Sequence, residues 1–118
     1  MKTSIIDLIR ERQHVSFLEL THAIPGFSGD ITMVHGDDPN IILWHSLSKD
    51  AYEALTALLY AGEIFVHPTN SLLYTIDGGT IDLPVIKRPP SGGYKTPHWY
   101  PVTFCDYPFD PDKAGKSK

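Results

Sequence analysis

The sequence predicts a single α+β domain, and three observations carry that prediction. Apolar residues recur at helical spacing in three segments. Between and after them lie short runs rich in β-branched and aromatic residues, bounded by turn formers. The prolines are segregated: three fall in residues 1–83, and the other seven lie between Pro84 and Pro111. Residues 1–83 are therefore expected to form the folded body and 84–118 an extended, Pro-rich arm, with 113–118 disordered.

The first helix is expected from about Thr3 to Arg12, with Ile5, Leu8 and Ile9 on one face, Ile6 beside them and Ser4 as the cap. Ser16-Phe17-Leu18-Glu19 then reads as a capping box opening a second helix. Val15 and Leu20 are placed to staple it, and Pro25-Gly26 ends it. Two apolar runs, 31–35 and 41–45, are joined by Gly36-Asp37-Asp38-Pro39-Asn40 and read as a hairpin. A third helix begins after Ser48, buries Tyr52, Leu55, Leu58 and Leu59, and stops at Gly62. A second hairpin is expected from runs 64–67 and 72–76 around Pro68-Thr69-Asn70-Ser71.

Bulk properties exclude several classes. The chain has 118 residues and 13.2 kDa, enough to bury a core without disulfide or metal support. Hydrophobic residues make up 42% and charged residues 20%, which argues against disorder. A net charge of −4 makes no case for a protein that coats nucleic acid or an anionic membrane. No apolar run approaches the ~20 residues of a membrane span. The charged first helix does not read as a signal peptide. The lone Cys105 cannot pair internally, so a reducing, cytoplasmic setting is expected.

No motif specifies an enzyme or a cofactor. The six histidines show no H-x-H or H-E-x-x-H pairing, so no metal is expected. His35, Asp37 and Asp38 share a loop but read as a solvated turn. Gly26-Phe27-Ser28-Gly29-Asp30 lacks the last glycine and the leading strand of a nucleophile elbow. Cys105 has no basic or imidazole neighbour in sequence to activate it.

Two short helices, a longer third helix and a hairpin directly after it resemble a winged helix-turn-helix domain. Ile5–Ile9, Val15–Ile24, Leu47–Gly62 and Ile64–Ile76 carry the resemblance, and Val15 would supply the short first strand of that fold. The hairpin between the second and third helices is then an insertion. The resemblance implies a DNA-associated transcriptional regulator. The third helix exposes only one base, Lys49, beside Asp50 and Glu53, and the loop at 68–71 has no cation. Contacts to double-stranded DNA would therefore fall to Arg10, Arg12, Lys49, Lys87, Arg88 and Lys95. The alternative is a protein–protein interaction module on the same scaffold that binds no DNA. The inserted hairpin is apolar on both faces, which points to a homodimer interface of Val34, Ile42, Trp44, Trp99 and Tyr100 unless the arm covers it.

Overall fold

The computed structural model describes residues 1–112. Helix α1 (Lys2–Arg12) starts one residue early, with Met1 as N-cap and no side-chain cap. Ser4 is inside the helix, because the Met1 carbonyl already accepts the Ile5 N–H at 3.1 Å. Ile5, Ile6 and Ile9 face inward and are buried.

A two-residue strand, β1 (Val15–Ser16), separates α1 from α2 (Phe17–Ala23). The capping box is present: Ser16 Oγ accepts the Glu19 N–H at 3.0 Å, and the Glu19 carboxylate accepts the Ser16 N–H at 3.5 Å. Val15 and Leu20, the expected staple, are both fully buried.

The hairpin is longer and tighter than its sequence suggests. Strands β2 (Ser28–His35) and β3 (Asp38–Leu47) pair as far as His35 opposite Asp38, leaving Gly36-Asp37 as a two-residue turn. Gly36 has φ +56°, the conformation such turns demand. The expected five-residue joint is shortened because Asp38 Oδ1 accepts the Asn40 N–H at 2.9 Å, folding that stretch into the strand. Register shifts along the ladder break the two-residue alternation. Adjacent Leu43 and Trp44 are both buried, Leu43 on the α3 side and Trp44 against Phe17, Tyr74 and Trp99.

Helix α3 (Lys49–Tyr60) is capped by Ser48, whose Oγ accepts the Ala51 N–H at 3.1 Å. Gly62, with φ +72°, closes it as expected: its N–H reaches the Leu59 carbonyl and the Glu63 N–H the Leu58 carbonyl. The buried stripe is Ala51, Ala54, Leu55 and Leu58. It is rotated from the expected one, so Tyr52 is exposed and Leu59 half-buried.

The second hairpin does not form. Strand β4 (Phe65–Pro68) is present, but the run 72–76 lies in helix α4 (Ser71–Asp77). Asn70 caps it through the Leu72 N–H at 2.9 Å, and Gly78 ends it in the left-handed conformation. Those two local signals outweigh the strand propensity between them. The antiparallel partner of β4 is β6 (Val102–Cys105), drawn from the expected arm. The short β5 (His98–Trp99) pairs in parallel with β3.

Two three-stranded sheets result, ordered β1-β6-β4 and β2-β3-β5. All four residues of β6 are buried. Ile86, Trp99, Tyr100, Val102 and Phe104 share one core with Ile5 and Leu55, so Ile86 and residues 99–105 of the expected arm are interior, while the stretch between them stays largely at the surface. Trp44 stacks on Phe17 with ring centroids 5.7 Å apart and contacts Tyr74 and Trp99. The expected disorder of 113–118 lies outside the described residues.

Candidate binding surface and a histidine–cysteine cluster

The six cations proposed for DNA are all exposed, and they are spread over α1, α3 and the segment 87–95. Helix α1 runs beside α3, with Lys2 near Asp50 and Glu53 and with Arg10 near Leu58 and Glu63. Lys49 therefore sits about 16 Å along the α3 axis from the end that Arg10 reaches, at 1.5 Å per residue. Arg10 approaches Glu63 at 3.9 Å and Arg12 approaches Glu19 at 3.5 Å, so each already faces a carboxylate. Lys87 lines a separate cleft of about 360 Å³ with Pro68–Ser71. Arg88 adjoins it in sequence, and Lys95 lies on a loop beyond.

The five proposed interface residues divide. Trp44, Trp99 and Tyr100 are buried inside the chain at 4%, 1% and 7% exposure. That corrects the expectation of a Trp44 interface: Phe17, Tyr74 and Trp99 of the same chain cover it, because α4 and β5 fold onto that face of the hairpin. Val34 and Ile42 remain half-buried.

Val34 belongs to a different surface. A groove of about 570 Å³ runs between the β2–β3 hairpin and α3. Met33, Val34, Leu43 and Leu59 form its floor and walls, and Tyr52 and Tyr60 rim it. Tyr60 is 94% exposed, an unusual position for so large a ring. Asp37 lines one end, and Asp50 and Glu53 stand exposed on the same helix. The rotated α3 stripe creates this surface. Placing alanines at 51 and 54 inward turns Tyr52 out beside Tyr60.

A second constellation has no counterpart in the sequence reading. His14, His67 and Cys105 bring one potential ligand atom each to within 4.8 Å of one another. His14 follows α1, His67 lies on β4, and Cys105 ends β6. On the β4–β6 ladder Phe65 pairs with Cys105 and His67 with Thr103, so His67 and Cys105 are diagonal neighbours on one face. His14 Nδ1 is 3.3 Å from Cys105 Sγ, and the His14 backbone N–H also donates to that sulfur at 3.3 Å. Tyr107 joins both rings: its hydroxyl is 3.1 Å from His14 Nε2, and its carbonyl is 2.7 Å from His67 Nε2. Cys105 and His67 are buried, whereas His14 is open to solvent. Burial pushes the Cys105 thiol up from its ordinary range, against the pull of the His14 N–H and the Tyr107 hydroxyl.

The backbone at this point is strained. Gln13 and His14 have φ +53° and +50°, and neither is glycine. Such conformations cost on the order of 1–3 kcal/mol each. The Gln13 side chain offsets part of that cost, with Oε1 accepting the Asp106 N–H at 2.9 Å and Nε2 donating to the Arg10 carbonyl at 3.3 Å. Sequence spacing could not find this cluster, because 91 residues separate His14 from Cys105.

No protein-family model matches this chain, and neither a curated protein nor a solved structure matches it. Among the described residues no helix is long and apolar enough to cross a membrane.

Proposed function

We propose that the chain is a non-enzymatic protein-interaction module on a winged-helix-like scaffold, and that the groove between the hairpin and α3 takes a basic, apolar segment of a partner protein. The aromatic-rimmed groove is the observation that carries this reading. Support for the scaffold comes from the strand order: β1, set between α1 and α2, pairs with β6, and β6 pairs with the strand that follows α3. Support for the partner's chemistry comes from charge. Asp37 lines the groove, no Lys or Arg among the described residues does, and residues 1–80 carry a net charge of −6. Apolar walls ask for aliphatic anchors, and the rim favours lysine or arginine beside them. The transcriptional-regulator reading has less support, because its cations are dispersed or already face carboxylates.

Binding measurements on the full chain separate the two. The probes are a Lys/Leu amphipathic peptide, a Glu/Leu peptide of the same pattern, and a short random DNA duplex. Saturable binding of the Lys/Leu peptide alone is expected, with at least a tenfold loss in Tyr60→Ser. Duplex binding whose salt slope falls by about one to two in the Lys87→Ala/Arg88→Ala variant would overturn the proposal in favour of a regulator.

A further inference from the structure

We propose that His14, His67 and Cys105 form a zinc site. Two imidazole nitrogens and one thiolate make a borderline-soft donor set suited to Zn²⁺. The geometry fits the ion. Zn–S and Zn–N bonds of about 2.3 and 2.05 Å at a tetrahedral angle place the two donors about 3.5 Å apart. His14 Nδ1 and Cys105 Sγ stand at 3.3 Å, and no ligand pair in the trio exceeds 4.8 Å. Adjustments of about an ångström would close the set.

The surroundings supply what a metal site needs beyond its ligands. An imidazole that binds through one nitrogen commonly donates its other N–H to an oxygen, which fixes tautomer and ring orientation. Tyr107 does this for both rings, offering its hydroxyl to His14 Nε2 and its carbonyl to His67 Nε2. With protons held on those nitrogens, Nδ1 of each ring keeps the lone pair. The His14 backbone N–H donates to the sulfur, which favours the thiolate. On binding, Cys105 loses its S–H proton to solvent and the ion takes the resulting lone pair. Three protein ligands leave a fourth position for water on the side where His14 is exposed. The strained Gln13–His14 backbone has a use under this assignment, because it aims His14 at a sulfur on a strand 91 residues away.

Cobalt spectroscopy tests the site on the full chain, untagged and stripped with chelator. Titration with Co²⁺ should give one equivalent of a four-coordinate spectrum with a thiolate-to-cobalt charge-transfer band, and added Zn²⁺ should abolish it. His14→Ala should weaken binding more than about 100-fold, and Tyr107→Phe about 10- to 100-fold, the range for a lost hydrogen-bond partner of a ligand. His22→Ala, an exposed histidine outside the cluster, should change nothing. Cys105→Ser should remove the charge-transfer band. Should that buried replacement fail to fold, His14→Ala decides, since its side chain lies at the surface. A wild-type spectrum of hydrated six-coordinate cobalt, or a band untouched by His14→Ala, would overturn the assignment.

Discussion

The two sheets are built on opposite plans. Sheet β1-β6-β4 joins three short segments from distant parts of the chain in unbroken register, with the whole of β6 buried. Sheet β2-β3-β5 is dominated by one local hairpin of long strands, bulged along its length, with one side open as the groove. The first is tied by long-range pairing and holds its residues in fixed positions. The second is cheap in loop-closure entropy and leaves an apolar groove beside α3. The difference teaches where each kind of site can live. The histidine–cysteine cluster takes His67 and Cys105 from the non-local sheet, which fixes their backbones. The proposed docking groove tolerates adjustment, and it lies beside the local one.

If the non-local sheet carries the fold, its centre should be the most sensitive point. Phe104 lies between Val15 and Val66 on the ladders, is fully buried, and contacts the Phe17 ring edge-on at 5.0 Å. Phe104→Ala should cost about 3–5 kcal/mol in denaturant melts. Val34→Ala, on the half-buried side of the hairpin, should cost under about 1 kcal/mol by the same measurement. Comparable losses would erase the contrast between the sheets.

This contrast also explains what the sequence could reveal. Helices α1, α2 and α3 and the hairpin were legible because their signals are local: a capping box at Ser16, a cap at Ser48, a stop at Gly62, a turn at Gly36. The strand pairing of β6 was not. Val102-Thr103-Phe104 reads as a run that could add to a sheet edge, but it sits among prolines with no local partner, and only the long-range pairings of Phe104 with Val15 and Val66 make it part of a central strand. Run 72–76 differs for the opposite reason: Tyr74, Thr75 and Ile76 have strand propensity, but the caps at Asn70 and Gly78 and the helix-favouring Leu72 and Leu73 enforce a helix. Trp44 is expected at a dimer interface unless the arm covers its face, and Phe17, Tyr74 and Trp99 of the same chain cover it. The histidine–cysteine cluster was invisible because it depends on β6 being where it is.

The hairpin is not uniformly permissive, and Gly29 marks where it is pinned. A Cβ at Gly29 would lie 2.5 Å from Ser48 Cα and 2.7 Å from the Leu47 carbonyl oxygen, both backbone atoms that cannot swing aside. Gly29→Ala should cost about 1–3 kcal/mol, the usual range for overpacking. A neutral result would mean that the start of β2 separates freely from the end of β3.

Tyr74 of α4 links the two sheets and gives a smaller, pH-dependent effect. Its hydroxyl donates to the Val102 carbonyl at 2.6 Å and accepts the Phe17 N–H at 3.1 Å. Burial pushes its pKa far above the ordinary tyrosine range. Because the folded state holds this proton more tightly than the unfolded chain does, the stabilisation is complete below about pH 10 and is lost as pH rises beyond it. Each such proton steepens the loss by up to about 1.4 kcal/mol per pH unit. Tyr74→Phe should cost about 1–2 kcal/mol at neutral pH, where it strands the Phe17 N–H and the Val102 carbonyl. It should also flatten the alkaline slope of stability. Tyr100 and Cys105, shifted upward by burial as well, should keep part of that slope.

The smallest effect is expected at the junction where α1 meets β1. Arg12 Nη1 and Glu19 Oε2 are 3.5 Å apart, with the arginine side chain 55% exposed. Such pairs gain little over solvation by water. Glu19 is also engaged through its other oxygen with the Ser16 N–H, so losing the arginine leaves the capping box intact. Arg12 further stands in the last turn of α1, where a cation favours the helix dipole by a few tenths of a kcal/mol at this exposure. Arg12→Ala should therefore cost under about 1 kcal/mol, and added salt should shrink the difference further. A larger loss that persisted in high salt would mean that the arginine stem packs against the strained Gln13–His14 turn and helps hold it. The non-local sheet would then depend on its surface as well as on its core.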